Sequence, residues 1–259
     1  MSLLSVPIAV ASSALFFVLS VLSIARMQHR EPAPTRESRA LPMGRQIREG
    51  VHFVASDSLL RTVCLASAAF QFSFAGTTTA YLIFLPRELH LSGAAIGLVL
   101  AATGPGALVG SLLAGRLPAR FGYGRVVVFA AVVGDGVMLF VPALPGQAAL
   151  TIPALVAISL VFGMFGQLVS VTVMAIRQTA TPDRMQGRVA ATITFAGMGL
   201  SPLGSLLGGF LAGAWGSRTG LLVMAAAMVL SPVLMALSPL ARLGRELAAP
   251  PRPATQPRT

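Results

Sequence analysis

Long apolar runs, separated by short polar segments that carry arginine, set the pattern of this chain. Seven runs, at about 4–25, 62–85, 94–115, 126–145, 148–176, 189–213 and 219–241, reach the ~20 residues a helix needs to cross a ~30 Å hydrocarbon core. Six contain no Asp, Glu, Arg or His, and the fourth contains one charge, Asp135. The pattern predicts an all-α polytopic membrane protein with seven transmembrane helices. Its expected organisation is a single helix over 1–25, a linker over 26–58, a six-helix bundle over 59–247 and a disordered tail over 248–259.

The linker changes character along its length. Glu31-Pro32-Ala33-Pro34 through Pro42 is proline-rich and predicts irregular chain. Beyond it, Ile47, Val51 and Val54 recur at helical spacing with Arg45, Arg48 and Glu49 between them. That reads as a short amphipathic helix on the inner membrane surface, with a solvated connector as the plainer reading. Four prolines, Pro250, Pro251, Pro253 and Pro257, predict disorder in the tail.

Composition sharpens the class. Only 10% of residues are charged, against about 25% in soluble domains. An ordinary soluble enzyme and a disordered chain are both excluded. The formal net charge is +11, and all nineteen basic residues are arginine. Seventeen of them fall before the second run, between the third and fourth, between the fifth and sixth, and after the seventh; the opposite loops hold only Arg87 and Arg218. Basic loops mark the cytoplasmic side, so the N-terminus is expected outside and the C-terminus inside a cell membrane. No positive charge precedes the first run, which argues against a cleaved signal peptide. The expected partner of these arginines is a bilayer with anionic headgroups, and no nucleic acid. A lone Cys64 allows neither an internal disulfide nor a cysteine metal site; no metal and no cofactor is expected.

Glycines are spaced four apart at Gly106/Gly110, Gly204/Gly208 and Gly209/Gly213. This spacing lets helix backbones approach closely in lipid. Gly104-Pro105-Gly106 and Pro202 predict bends, because proline removes a backbone hydrogen bond.

The connection after the third run reads Gly110-Ser-Leu-Leu-Ala-Gly115-Arg116-Leu-Pro-Ala-Arg120-Phe-Gly122-Tyr-Gly124-Arg125. It resembles the glycine/arginine loop signature of the major facilitator superfamily in its second-half form. The fifth-to-sixth connection, Arg177-Gln178 through Pro182-Asp183-Arg184 to Gly187-Arg188-Val189, is similar to the branch that holds macrolide-efflux and enterobactin-exporter-like proteins. So is Ile47-Arg48-Glu49-Gly50 through Asp57 to Leu60-Arg61, and Pro202-Leu-Gly204 with Gly208-Gly209 adds to the likeness. The resemblance implies the second six-helix half of a twelve-span transporter plus the helix before it. On that reading five helices are missing: the expectation is a chain truncated at its start, and the alternative a half-size protein that pairs with a separate N-terminal half. The implied function is proton-driven efflux of a small amphiphilic molecule, a drug or siderophore, by a protein that is not an enzyme. One departure is Ala119, which stands where the signature carries an acidic residue before Arg120.

The implied loop motif comprises Gly115, Arg120, Gly122, Arg125, Asp183 and Arg188. Asp183 begins the turn into the sixth run, where a helix N-terminus favours a carboxylate. It is expected to pair with Arg120 or Arg125 and latch the inner ends; on the plainer reading these arginines only set topology. Asp135 lies ten residues beyond Arg125, ~15 Å along a helix. A charge at that depth costs roughly 2.5–3.5 kcal/mol, so the carboxyl is expected protonated or hydrogen-bonded, and it is the candidate for proton coupling. A supporting role is the plainer reading, since the resemblance assigns the fourth run to a peripheral helix away from the cavity. The cavity is implied to lie along runs two and five. Gln71 and Thr78 share a face with Ala75 and Leu82, with Phe70, Phe72 and Phe74 around Gln71; Gln167 and Ser170 share a face on run five. These four polar residues are the substrate-cavity candidates, against plain interhelical hydrogen bonding.

Rival classes fit less well. The topology also describes a seven-helix receptor, yet a retinal Schiff base needs a lysine and there is none. His29, His52 and His90 lie outside the runs, which leaves a membrane hydrolase without a buried base. A channel lacks a filter-like segment. An inert fragment is the remaining alternative.

Overall fold

A computed structural model describes residues 5–26, 43–146 and 149–245, and its described residues contain helices and turns without strands. The proline-rich stretch and the tail both lie outside the described residues. The chain divides into two units, Met1–Pro42 and Met43–Thr259. In the first, the leading apolar run forms α1 (Ser5–Ala25), 21 residues long. The second unit contains everything that follows.

It opens with α2 (Met43–Ser56) and α3 (Ser58–Arg87). α4 (Gly93–Ala101) and α5 (Thr103–Ala114) form one span, and a short α6 (Leu117–Phe121) follows. α7 (Tyr123–Val137) runs on into a 3-10 turn, Met138–Ala143. α8 (Thr151–Ala180) and α9 (Gln186–Ala214) are long and unbroken. α10 (Ser217–Met228), α11 (Leu230–Ala236) and a 3-10 turn at Pro239–Arg242 complete it. Among the described residues six helical stretches are long and apolar enough to cross a membrane: Ser58–Arg87, Gly93–Ala114, Tyr123–Ala143, Thr151–Ala180, Asp183–Ala214 and Ser217–Ala236. They match runs two to seven. The predicted seventh crossing rests on α1 alone.

Proline decides where the spans break. Pro105, Pro142 and Pro232 cannot donate to the carbonyls four residues back, at Ala101, Met138 and Met228. α4 ends at Ala101, the 3-10 turn begins at Met138 and α10 ends at Met228. Pro202 behaves differently, and α9 continues through it. Capping fixes the start of α3, where the Asp57 carboxylate accepts from the Leu60 N–H at 2.8 Å. Gly122, at φ 96°, makes the turn from α6 into α7 that other residues adopt only with strain.

Helix pairs meet backbone to backbone, and glycine makes this possible. A Cβ at Gly204 would strike the Phe72 carbonyl, and one at Gly208 the Gly76 carbonyl, so α9 lies directly on α3. Gly106 and Gly110 bring α5 onto the Leu160 and Met164 carbonyls of α8 in the same way. The third predicted pair does not do this: a Cβ at Gly213 would meet nothing, and one at Gly209 only the Thr79 methyl at 3.7 Å. Lipid tails are as apolar as the side chains, so this close packing holds the pairs together more than hydrophobicity does.

Two apolar layers close the bundle. At the arginine-loop end Val54, Leu60, Val63, Ile176, Val189 and Leu240 cluster. At the opposite end Phe84, Leu85, Leu89, Val99, Leu155 and Leu221 do so.

Candidate functional site

The amphipathic pattern over residues 43–56 does form a helix, but its faces divide differently from the predicted stripe. Gly50 and Val54 are buried against the bundle, whereas Met43, Ile47 and Val51 form an exposed apolar row. Arg45 and Arg48 are exposed beyond that row. A Cβ at Gly50 would come within 3.1 Å of the Arg188 carbonyl, so α2 sits tightly on the start of α9.

There the Arg188 guanidinium donates to Glu49 Oε2 at 2.6 Å, and Arg45 Nε lies 3.4 Å from Glu49 Oε1. This ion pair differs from the expected latch. Asp183 instead accepts from the Gln186 amide at 3.1 Å, and neither Arg120 nor Arg125 has an acidic partner among the described residues. Arg120 lies over the Phe121 ring, 5.4 Å from its centroid. Of the motif glycines, Gly115 caps α5, Gly122 turns the chain, and Gly124 leaves room for the carbonyls of Leu240 and Ala241. Spacing alone could not find Glu49, because the two partners stand 139 residues apart.

Two cavities adjoin the apolar layers. The first, about 650 Å³, opens among α3, α7, α8, α9 and α11, and Gln71, Asp135, Ser170 and Gln178 are among its polar lining residues. The second, about 510 Å³, lies among α3, α4, α5 and α8 and is lined by Thr77, Thr78, Tyr81, Ser159 and Gln167. Phe70 and Gly166 belong to both. The four cavity candidates are thus brought together in pairs, Gln71 with Ser170 and Thr78 with Gln167.

Asp135, which the resemblance assigned to a peripheral helix, lines a cavity within this bundle. It is 5% exposed, its Oδ2 has no hydrogen-bond partner, and it lies in the wall of the first cavity. Gly134, whose position leaves only 3.1 Å between a Cβ and the Phe165 side chain, brings α7 close to α8 there. The other ionisable residue in that wall is Arg177, near the end of α8.

Aromatic rings form one side of the second cavity. Phe70 stacks on Phe74 at 5.5 Å and 7°, and Phe74 on Phe162 at 5.8 Å and 13°. Phe72 is not part of this stack, since its backbone lies under Gly204. Thr77, Tyr81 and Ser159 are not among the residues expected from the sequence, although Thr77 and Tyr81 are polar groups one helical turn apart in an apolar run. All three are buried; the Thr77 hydroxyl lacks a partner, and the Tyr81 hydroxyl lies beside Ser159.

At the end of the bundle away from the arginine loops, Ser217 donates to Glu88 Oε1 at 2.8 Å and ties the start of α10 to the end of α3. The Arg218 guanidinium lies 5.6 Å above the Phe84 ring.

The sequence model of a family described as transmembrane secretion effector matches residues 3–257. No curated protein and no solved structure matches the chain.

Proposed function

The chain belongs to the transmembrane secretion effector family of the major facilitator superfamily, and from that premise we propose that it exports a small amphiphilic molecule, driven by protons moving down their gradient. The observation that carries this reading is the pair of adjoining cavities. Their walls are mostly apolar, and an unpartnered buried carboxyl stands in the wall of the first. Apolar cavities with a few placed polar groups suit drug-sized ligands. The substrate class, a drug or siderophore, follows the resemblance to macrolide-efflux and enterobactin-exporter-like proteins. Gln71, Ser170, Thr78 and Gln167 contact the substrate, and Asp135 exchanges the proton.

The test is transport in proteoliposomes that hold the full chain. Fluorescent amphiphiles should accumulate when a proton gradient is imposed, and the accumulation should vanish when a protonophore dissipates it. Accumulation that ignores the gradient overturns the proton-driven reading.

Orientation follows from the arginine distribution: α1 also crosses the membrane, N-terminus outside, and the arginine loops are cytoplasmic. The exposed apolar row of α2 rests in the inner leaflet, with Arg45 and Arg48 toward the headgroups. The Glu49–Arg188 pair clasps α2 to α9 in one state and opens in another. On a Cys64→Ala background, Gly187→Cys should react with an impermeant maleimide only in inside-out vesicles, and Thr219→Cys only in right-side-out ones. The reverse pattern sinks the orientation. In the same vesicles Val54→Cys, buried under the clasp, should label faster once Arg188 is changed to Gln. An unchanged rate removes the clasp.

A further inference from the structure

We propose that Gly166 is the aperture between two lobes of one binding site, and that it sets which substrates can occupy both lobes at once. The inference rests on the transport reading and deepens it by naming the shape and chemistry of the substrate.

The two cavities meet at Phe70 and Gly166. At about 650 and 510 Å³, each alone is large enough for a drug-sized group. The lobes differ in chemistry. The Asp135 carboxyl and the Gln71 amide line the first, and Asp135 Oδ2 is itself buried without a partner. The second is lined by the Phe70–Phe74–Phe162 ring stack and by Thr77, whose hydroxyl is buried without a partner. A molecule that satisfies both has a flat aromatic end for the ring stack and a hydrogen-bond-donating end for the carboxyl. It must pass between Phe70 and Gly166.

One side of that passage is fixed, because the Phe70 ring is stacked on Phe74. The other side is bare backbone. A Cβ at Gly166 would meet nothing within 4 Å. Three residues earlier on the same helix, Gly163 lies against the Thr103 carbonyl and can be explained by packing. Gly166 cannot, and glycine inside a helix is less stable than alanine. What the missing side chain leaves open is the gap between the lobes.

The experiment uses the purified full chain in nanodiscs and two fluorescent probes. N-phenyl-1-naphthylamine is compact and aromatic and fits the second lobe. Doxorubicin joins a flat ring system end to end with an amino sugar and spans both. Gly166→Ala, Gly166→Val and Gly166→Leu add progressively more volume to open space. Doxorubicin affinity should fall in that order, by at least roughly tenfold for leucine, while naphthylamine affinity stays within about twofold. Melting followed through the native Cys64 thiol checks that each variant is folded, and the alanine and valine variants keep the series readable if leucine unfolds. Parallel loss of both probes, or loss of neither, overturns the aperture. Failure of the wild type to bind either probe instead refutes the substrate-cavity reading itself, and the aperture with it.

Discussion

Gly204→Leu is expected to separate α9 from α3 and to leave little folded protein. At this position the Phe72 carbonyl occupies the space where a Cβ would go, and Gly208 meets the Gly76 carbonyl one turn on. The obstacle is backbone, which has no rotamer to move. Relief requires the two helices to part along the face that joins them, and the Pro202 stretch of α9 must move with it. Overpacking in a tight core costs roughly 1–3 kcal/mol, and here the upper end or more is expected. A membrane bundle has little hydrophobic drive to hold the pair once contact is lost. Gly213→Leu is the matched control, because a side chain there enters open space and should change melting by little. Thermal melting read through Cys64, the one cysteine in the chain, compares them. Equal melting of the two variants would contradict the close approach.

Asp135→Asn is expected to uncouple transport from the proton gradient and to keep the substrate site. The carboxyl is 5% exposed, stands at the edge of the first cavity and has an oxygen without a partner. An ionised group at membrane depth costs roughly 2.5–3.5 kcal/mol, so a proton or a donor on the substrate is favoured there. Alternation between those two occupants is a proton–substrate exchange. With one proton exchanged per substrate, each unit of pH difference is worth about 1.4 kcal/mol and supports an about tenfold accumulation ratio. Asparagine keeps the shape and cannot carry the proton. The ratio should therefore collapse to equality while probe binding persists. A variant that still concentrates substrate when a gradient is imposed would exclude Asp135 as the coupling group.

Much of this was legible in the residues because lipid leaves helices few options. A span needs about 20 apolar residues, and the six found among the described residues lie where the apolar runs do. Pro105 was readable as an interruption, since its missing N–H acts on a carbonyl four residues away on the same chain. Pro232 breaks a span by the same rule, whereas α9 continues through Pro202. Glycine spacing identified two real backbone contacts and one position open to space, because spacing names a face without naming what lies opposite. The Glu49–Arg188 pair and the entry of Asp135 into the first cavity both depend on which helices adjoin, information that no single run contains. Gln71 and Gln167 were identified by their rarity at that depth, yet they belong to different cavities.

The unbroken length of α3 has a mechanical consequence. Its 30 residues make a rod of about 45 Å, longer than the hydrocarbon thickness it crosses. One tip is capped by Asp57 next to α2, and the other ends at Glu88, gripped by Ser217. Its one internal proline, Pro86, stands in the last turn, so the rod up to that turn is expected to tilt as one piece, and a tilt that swings one tip outward carries the other inward. On the transport reading, motion at the clasp is then expected to reach the far rim in the opposite sense.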